Sequence, residues 1–229
     1  MTPLSEGIGS LNESTLHAQI KDWYARPQDR FEVKVDGSII DIVRGPLLVE
    51  IQTSNFAALR KKLDKLIEHR KVRVVYPLPR NKWVIRVSEM GNILGKRRSP
   101  KAGKITDAFE ELLRIPELIN HPNFSLEILV VDIEEIRSDD GKGSRWRRGV
   151  SIKDRRLVEV LESIEFTRSQ DFLRFLPDNL KSPFTNKILA KAMGISSERA
   201  TQITYTLRRM SVLEVVGKER NSYLFDVVI

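Results

Sequence analysis

The chain has 229 residues, 41% hydrophobic and 31% charged, enough to bury one large core or two modest ones. It contains no cysteine, and its three histidines lie far apart in sequence, which disfavours zinc enzymes, cysteine proteases and thioredoxin-like proteins. Lys and Arg outnumber Asp and Glu by 39 to 31, giving a net charge of +8. A polyanionic partner is therefore expected, with nucleic acid the first candidate.

The start of the chain lacks the basic residues and apolar run of a signal peptide, and no stretch approaches the roughly 18 apolar residues of a spanning helix. The sequence therefore predicts a cytoplasmic, nucleoid-associated protein with no membrane partner. Residues 1–11 are expected to form a flexible N-terminus.

The next segment predicts the order helix, three strands, helix, strand. A helix over 12–24, with Asn12 as N-cap, precedes strands at 31–35 and 38–43, which Asp36-Gly37 joins as a hairpin turn. A third strand covers 47–52. The helix over 54–69 directs its basic residues, among them Lys62, mostly away from its apolar face. A short strand at 72–76 is expected to end at the prolines that follow.

The second half of the chain predicts further strands and helices around one boundary. Strands are expected at 83–87 and 125–133, a basic loop at 96–104, and a helix at 106–113. Residues 137–149, rich in Gly, Ser and charge, mark the boundary, and amphipathic helices follow at 153–164 and 169–176. We thus predict a domain over 12–139, a linker with connecting helices over 140–183, and a second domain over 184–229.

Residues 184–229 resemble a winged helix-turn-helix domain. The resemblance rests on the turn at Gly194, the inward spacing of Ala200, Ile203 and Leu207, and a terminal hairpin over 212–228. It implies a recognition helix and a wing whose outward side chains contact nucleic acid. These residues are Arg199, Gln202, Tyr205 and Arg209 on the helix, and Lys218 and Arg220 on the wing. Winged helices also serve as protein-interaction modules, which is the alternative for this domain.

Two carboxylates interrupt apolar strands in the first half of the chain. Asp41 lies within Ile-Ile-Asp-Ile-Val and Glu50 within Leu-Leu-Val-Glu-Ile, where an unpaired buried charge would cost several kcal/mol. Strand alternation places Glu50 and Gln52 on one face, able to converge with Asp41 of the neighbouring strand. Oxygen ligands without Cys or His favour Mg²⁺ or Mn²⁺.

This strand order, with Asp41 in the second strand and Glu50-Ile51-Gln52 in the third, resembles the PD-(D/E)XK, or restriction-endonuclease-like, nucleases. The resemblance implies an α/β (α+β) fold with a mixed central sheet, and it assigns Asp41 and Glu50 as metal ligands. It places Gln52 where the family usually has a water-orienting lysine and Glu13 as the carboxylate of the first helix. The chain also resembles a widespread bacterial family with no assigned activity.

The structural alternatives are simpler. Asp41 and Glu50 could face solvent from a half-covered antiparallel sheet, Glu13 could favour the helix dipole, and His17 could be structural. Gln52 carries no charge, which weakens the catalytic interpretation.

Two basic clusters predict phosphate contacts. The segment GNILGK at 91–96 fails the P-loop pattern, since Arg97 follows the lysine. The clusters comprise Lys96, Arg97, Arg98, Lys101 and Lys104, and then Arg145, Arg147 and Arg148 around Trp146.

Together these features predict a metal-dependent DNA endonuclease with a C-terminal winged helix, RNA remaining open as a substrate. Concerted cleavage of two strands would fit a homodimer. The alternatives are a non-catalytic DNA-binding regulator with a degenerate nuclease core and a protein-interaction adaptor.

Overall fold

A computed structural model describes residues 14–145 and 149–228. The fold is mixed α/β with a mixed central sheet. Within the described residues the sheet has seven strands in the order β1-β2-β3-β4-β6-β7, and β5 pairs with β4. The β3–β4 and β4–β6 pairs are parallel and the others antiparallel. The strands are β1 (Arg30–Val35), β2 (Ser38–Arg44), β3 (Leu47–Ile51), β4 (Lys71–Val87), β5 (Ile93–Arg98), β6 (Phe124–Asp139) and β7 (Val150–Phe166).

Helices cover both faces of this sheet. Alternate residues of β4 enter different cores: Val74 and Tyr76 join the core beneath α2, and Val75 joins the core beneath α1. The amphipathic stripe of each helix supplies the rest of each core. The α-helices are α1 (Thr15–Tyr24), α2 (Phe56–Ile67), α3 (Phe109–Leu112), α4 (Asn186–Met193) and α5 (Ser197–Arg209), and 3₁₀ turns lie at Ile105–Ala108, Pro116–Asn120 and Ser169–Phe175.

The predicted order of helix, three strands, helix and strand is confirmed. Asp36 and Gly37 have φ values of 48° and 84°, the left-handed pair that a two-residue hairpin requires. Ser14 caps α1 by accepting from the His17 amide, whereas the predicted cap, Asn12, lies outside the described residues. The inward aromatic of α1 is Tyr24; Trp23 is exposed.

Three predictions about strands are wrong. Residues 150–166 form strand β7 rather than a helix, and they belong to the sheet rather than to a linker over 140–183. The prolines at 77 and 79 do not end β4, because they lie where its β3 partner has stopped and its β5 partner has not begun. Proline is tolerated where one side of a strand is unpaired. Residues 96–98 belong to β5, so only 99–104 form the expected basic loop.

The C-terminal segment consists of α4, a turn at Gly194, α5 and a hairpin of β8 (Leu213–Glu219) with β9 (Ser222–Val227). Thr185 and Ser196 cap the two helices. This segment does not have a core of its own: Ile203 and Phe225 belong to the same buried cluster as Phe109.

In the described ranges, no helix has the length and apolar character needed to cross a bilayer.

Candidate active site

A cavity of about 490 Å³ lies where β3 ends, between the start of α1 and the β1–β2 hairpin. The parallel β3–β4 pair ends at Ile51, and the chain then turns towards α2. Loops at the carboxyl ends of parallel strands are a common place for ligand sites. The lining includes Asp41, Gln52, His17, Lys21 and Asn55.

Asp41 and Glu50 lie at opposing positions of adjacent strands. The β2–β3 register pairs Ile42 with Val49, so the next position along the two strands brings the carboxylates opposite each other. Opposing residues of an antiparallel pair have neighbouring side chains. The predicted convergence of the two acids therefore agrees with the sheet register.

Asp41 is held as an ionised carboxylate. Its Oδ2 accepts from the Ile51 amide at 2.7 Å and lies 3.2 Å from Nε2 of His17. Burial alone would raise the pKa of Asp41, but the hydrogen bond and charge of His17, with smaller contributions from the Ile51 amide and Lys62, hold it below its usual value.

Glu50 is buried deeper, with 4% of its surface exposed, and it does not line the cavity. Nζ of Lys62 lies 2.6 Å from its Oε1. Burial, followed by the negative charge of Asp41, raises the pKa of Glu50 to about 7, although Lys62 acts in the opposite direction. The two acids therefore interact electrostatically, and one is far easier to protonate than the other.

Lys62 is the residue that the sequence interpretation missed. It was expected to point away from the apolar face of α2, and this is wrong: it lies three residues after Leu59 and four before Leu66, which are both buried. Residues at these spacings share one face of a helix. A lysine inside an apolar stripe was thus the signal available in the sequence.

Gln52 lines the cavity, as expected, and its amide donates to the carbonyl oxygens of Ser54 and Asn55. Its Oε1 accepts no hydrogen bond from the described part of the chain.

Two residues of α1 also line the cavity. Nζ of Lys21 lies 2.9 Å from Oε1 of Glu32. His17, which the sequence favoured as structural, faces the candidate site.

The oxygen donors suit a divalent cation of the Mg²⁺ type, which commonly takes only one or two carboxylates and completes its shell with water and substrate oxygens. Asp41 Oδ1 and Glu50 Oε2 make no hydrogen bond within the described ranges. No group of three His, Asp or Glu residues in those ranges could enclose a metal by itself. Glu13, the third acid expected here, lies outside the described residues.

The first basic cluster predicted to bind nucleic acid is exposed on β5 and on the loop that follows it. Lys96 pairs with Glu134 at 2.6 Å, and Arg98 donates to Asn81 and lies over the Trp83 ring. Arg97, Lys101, Lys104 and Arg145 are exposed. Arg147 and Arg148 lie outside the described residues.

Arg199 was predicted to face outward on α5, and this is wrong. Its side chain is 16% exposed, and its guanidinium pairs with Asp107 and Glu110. α5 turns this edge towards α3, because the two share the core described above. Arg209 pairs with Glu117 but remains half exposed.

The other predicted contacts of this segment remain at the surface. Tyr205 is 47% exposed and Gln202 is half-buried. On the hairpin, Nζ of Lys218 lies 5.0 Å from the centre of the Tyr223 ring, and Arg220 occupies the turn with a positive φ.

Residues 14–167 match the family described as "Domain of unknown function (DUF8091)". The chain belongs to this family. A similar protein, described as "Uncharacterized protein", comes from Treponema pallidum (strain Nichols); it is 36% identical over 176 residues, which cover 75% of this chain and 70% of the relative. No solved structure matches the chain with significant similarity. The family domain spans the sheet from α1 to β7, including both carboxylates.

Proposed function

We propose that this DUF8091 protein is a metal-dependent nuclease that hydrolyses phosphodiester bonds in DNA, with a restriction-endonuclease-like core and a winged-helix-like C-terminal segment. The observation that carries the proposal is the opposed pair Asp41 and Glu50 beside an open cavity, each contacted by a basic side chain from a different helix. His17 of α1 contacts Asp41, and Lys62 of α2 contacts Glu50.

Each residue has a distinct role in this proposal. Asp41 and Glu50 would hold Mg²⁺ or Mn²⁺, which when bound polarises a phosphate and acidifies water. Gln52 presents an amide oxygen that can orient the attacking water. Lys62 supplies the positive charge that Gln52 lacks, so it supports the build-up of negative charge near Glu50.

The electrostatics of the rest of the chain support a polyanionic substrate. The net charge is +8, and exposed cations on β5, on the 99–104 loop and on the hairpin of β8 and β9 could contact phosphates. Arg199 is no longer among the residues expected to contact DNA, because its guanidinium forms ion pairs with Asp107 and Glu110. The proposal includes a homodimer, in which each of the two active sites would cut one strand of a duplex.

A second candidate is a DNA-binding protein without catalysis. The observation that favours it is the Lys62–Glu50 ion pair at 2.6 Å, because a carboxylate already neutralised by a lysine needs no metal to be stable in the core.

Cleavage assays separate the two. Supercoiled plasmid, single-stranded and branched DNA would be incubated with Mg²⁺ or Mn²⁺ and with EDTA. We expect cation-dependent cleavage that Asp41→Asn and Glu50→Gln abolish while DNA binding is retained. The matched controls Asp64→Asn and Glu68→Gln remove exposed acids of the same type and should leave cleavage unchanged. Retained binding with no cleavage of any substrate under either cation would favour the second candidate.

A further inference from the structure

A second cavity, of about 270 Å³, lies beside the loop that carries Gly103. It shares no lining residue with the carboxylate cavity. Its apolar wall includes Leu78, Val130 and Phe175, all at most 5% exposed. An aromatic ring could pack against this wall.

Three cations converge on the same cavity. Arg80, Lys104 and Arg174 line it together with a single carboxylate, Glu162. None of the three makes an ion pair with a described carboxylate, whereas many other cations of the chain do. Two positive charges therefore remain in excess around a small cavity with one apolar wall, an arrangement that an anionic ligand would stabilise.

The fold fixes the backbone on which these cations are placed. The Gly103 amide donates to the Arg80 carbonyl at 2.8 Å, which ties the basic loop to β4. A Cβ at Gly103 would meet the Pro79 carbonyl oxygen at 2.0 Å, so this close approach requires glycine. The Arg174 guanidinium lies 5.2 Å from the centre of the Phe166 ring. The backbone that carries Arg80 and Lys104 is therefore fixed beside the cavity.

We propose that this cavity binds a nucleoside monophosphate. The phosphate would lie among Arg80, Lys104 and Arg174, and the base would lie against the wall of Leu78, Val130 and Phe175. Glu162 can accept a hydrogen bond from a ribose hydroxyl or an amino group of the base. Both the base and the phosphate are needed for full affinity, because the cavity joins an apolar wall to a cationic rim. The site is independent of the proposed nuclease activity.

Isothermal titration calorimetry with the full chain in EDTA tests the proposal. The probes are AMP, GMP, CMP and UMP, with adenosine and inorganic phosphate as the two halves of the ligand. We expect at least one monophosphate to bind at least tenfold more tightly than adenosine or phosphate alone. Asp41→Asn should leave this binding unchanged, so failure of the nuclease proposal would not affect the result.

Variants locate the site. Arg80→Gln and Arg174→Gln should each weaken binding about tenfold or more through loss of a charge-assisted contact, and Arg174→Lys should lose less. Lys61→Gln, which removes an exposed α2 cation that has no ion pair with a described residue, is the control. Absence of binding at millimolar nucleotide, equal affinity for phosphate alone, or full affinity in Arg80→Gln would each overturn the proposal. Arg80 and Arg174 are both exposed, so their variants should fold, and circular dichroism checks this.

Discussion

The ammonium group of Lys62 lies 2.6 Å from the buried carboxylate of Glu50, so a residue of α2 compensates the charge of an acid near the end of β3, an interior strand of the sheet. Lys62→Met should therefore leave Glu50 without its cation. We expect the free energy of unfolding at pH 8 to fall by about 2 kcal/mol, since the lysine is only partly buried and removal of one partner of a fully buried pair costs more. Urea denaturation measures this change.

The control for this prediction is Lys61→Met, which should change the unfolding free energy by less than about 0.5 kcal/mol. In a Glu50→Gln background, Lys62→Met should cost much less than in the native chain, because no buried charge is left unpaired. Equal costs in the two backgrounds would show that the ion pair does not contribute.

Glu50 should make stability depend on pH. Folding raises its pKa from an ordinary value of 4.5 to about 7, so the folded protein binds this proton more tightly than the unfolded chain does. The resulting stabilisation is fully present below pH 4.5 and is lost as the pH rises through 7. Glu50→Gln should therefore gain about 2 to 3 kcal/mol relative to the native chain between pH 4.5 and pH 8.

Denaturation of both proteins at several pH values in EDTA measures this difference. A stability difference that is independent of pH would contradict the raised pKa. Addition of Mg²⁺ or Mn²⁺ at pH 8 should stabilise the native chain and not Glu50→Gln if Glu50 holds the ion. This second measurement bears on the proposed metal site without any cleavage assay.

Elements with local signals could be predicted from the sequence. The Asp36-Gly37 turn and the capped helices α4 and α5 depend on residues within a few positions of one another, and the structure contains them as expected. The neighbourhood of Asp41 and Glu50 could also be predicted, since a short turn joins their strands.

The features that the sequence did not predict depend on residues that are distant in the chain. Leu157, Val160 and Ile164 are spaced as on a helix, yet they lie in β7. Register shifts in its pairing with β6 break the two-residue alternation there. The inward role of Lys62 depends on how α2 packs over β3. The inward turn of Arg199 depends on acids about 90 positions earlier in the chain.

Substitution of Arg199 should lower stability, whereas substitution of Arg208 should lower DNA affinity. Arg199 pairs with Asp107 and Glu110, so Arg199→Ala should lower the unfolding free energy by about 1 kcal/mol with little change in DNA affinity. Arg208 is exposed and has no ion pair with the described residues. Arg208→Ala should therefore weaken DNA binding about tenfold, if this helix contacts phosphate, and leave stability unchanged.

Thermal denaturation and fluorescence anisotropy with a labelled duplex measure the two quantities. A loss of DNA affinity in Arg199→Ala equal to that in Arg208→Ala would contradict the internal role of Arg199. Unchanged affinity in both variants would indicate that this surface of α5 contacts protein instead.

A chain that ends at residue 139 should not fold. It would lack β7, whose Leu157 amide donates to Oε1 of Gln19 on α1 at 2.8 Å and whose Phe166 is fully buried. Removal of a strand that pairs with β6 from Leu126 to Asp139 exposes both cores at once. The sharp thermal transition of the full chain, followed by circular dichroism, should therefore be absent, and a cooperative transition in the shortened chain would show that residues 14–139 form an independent domain.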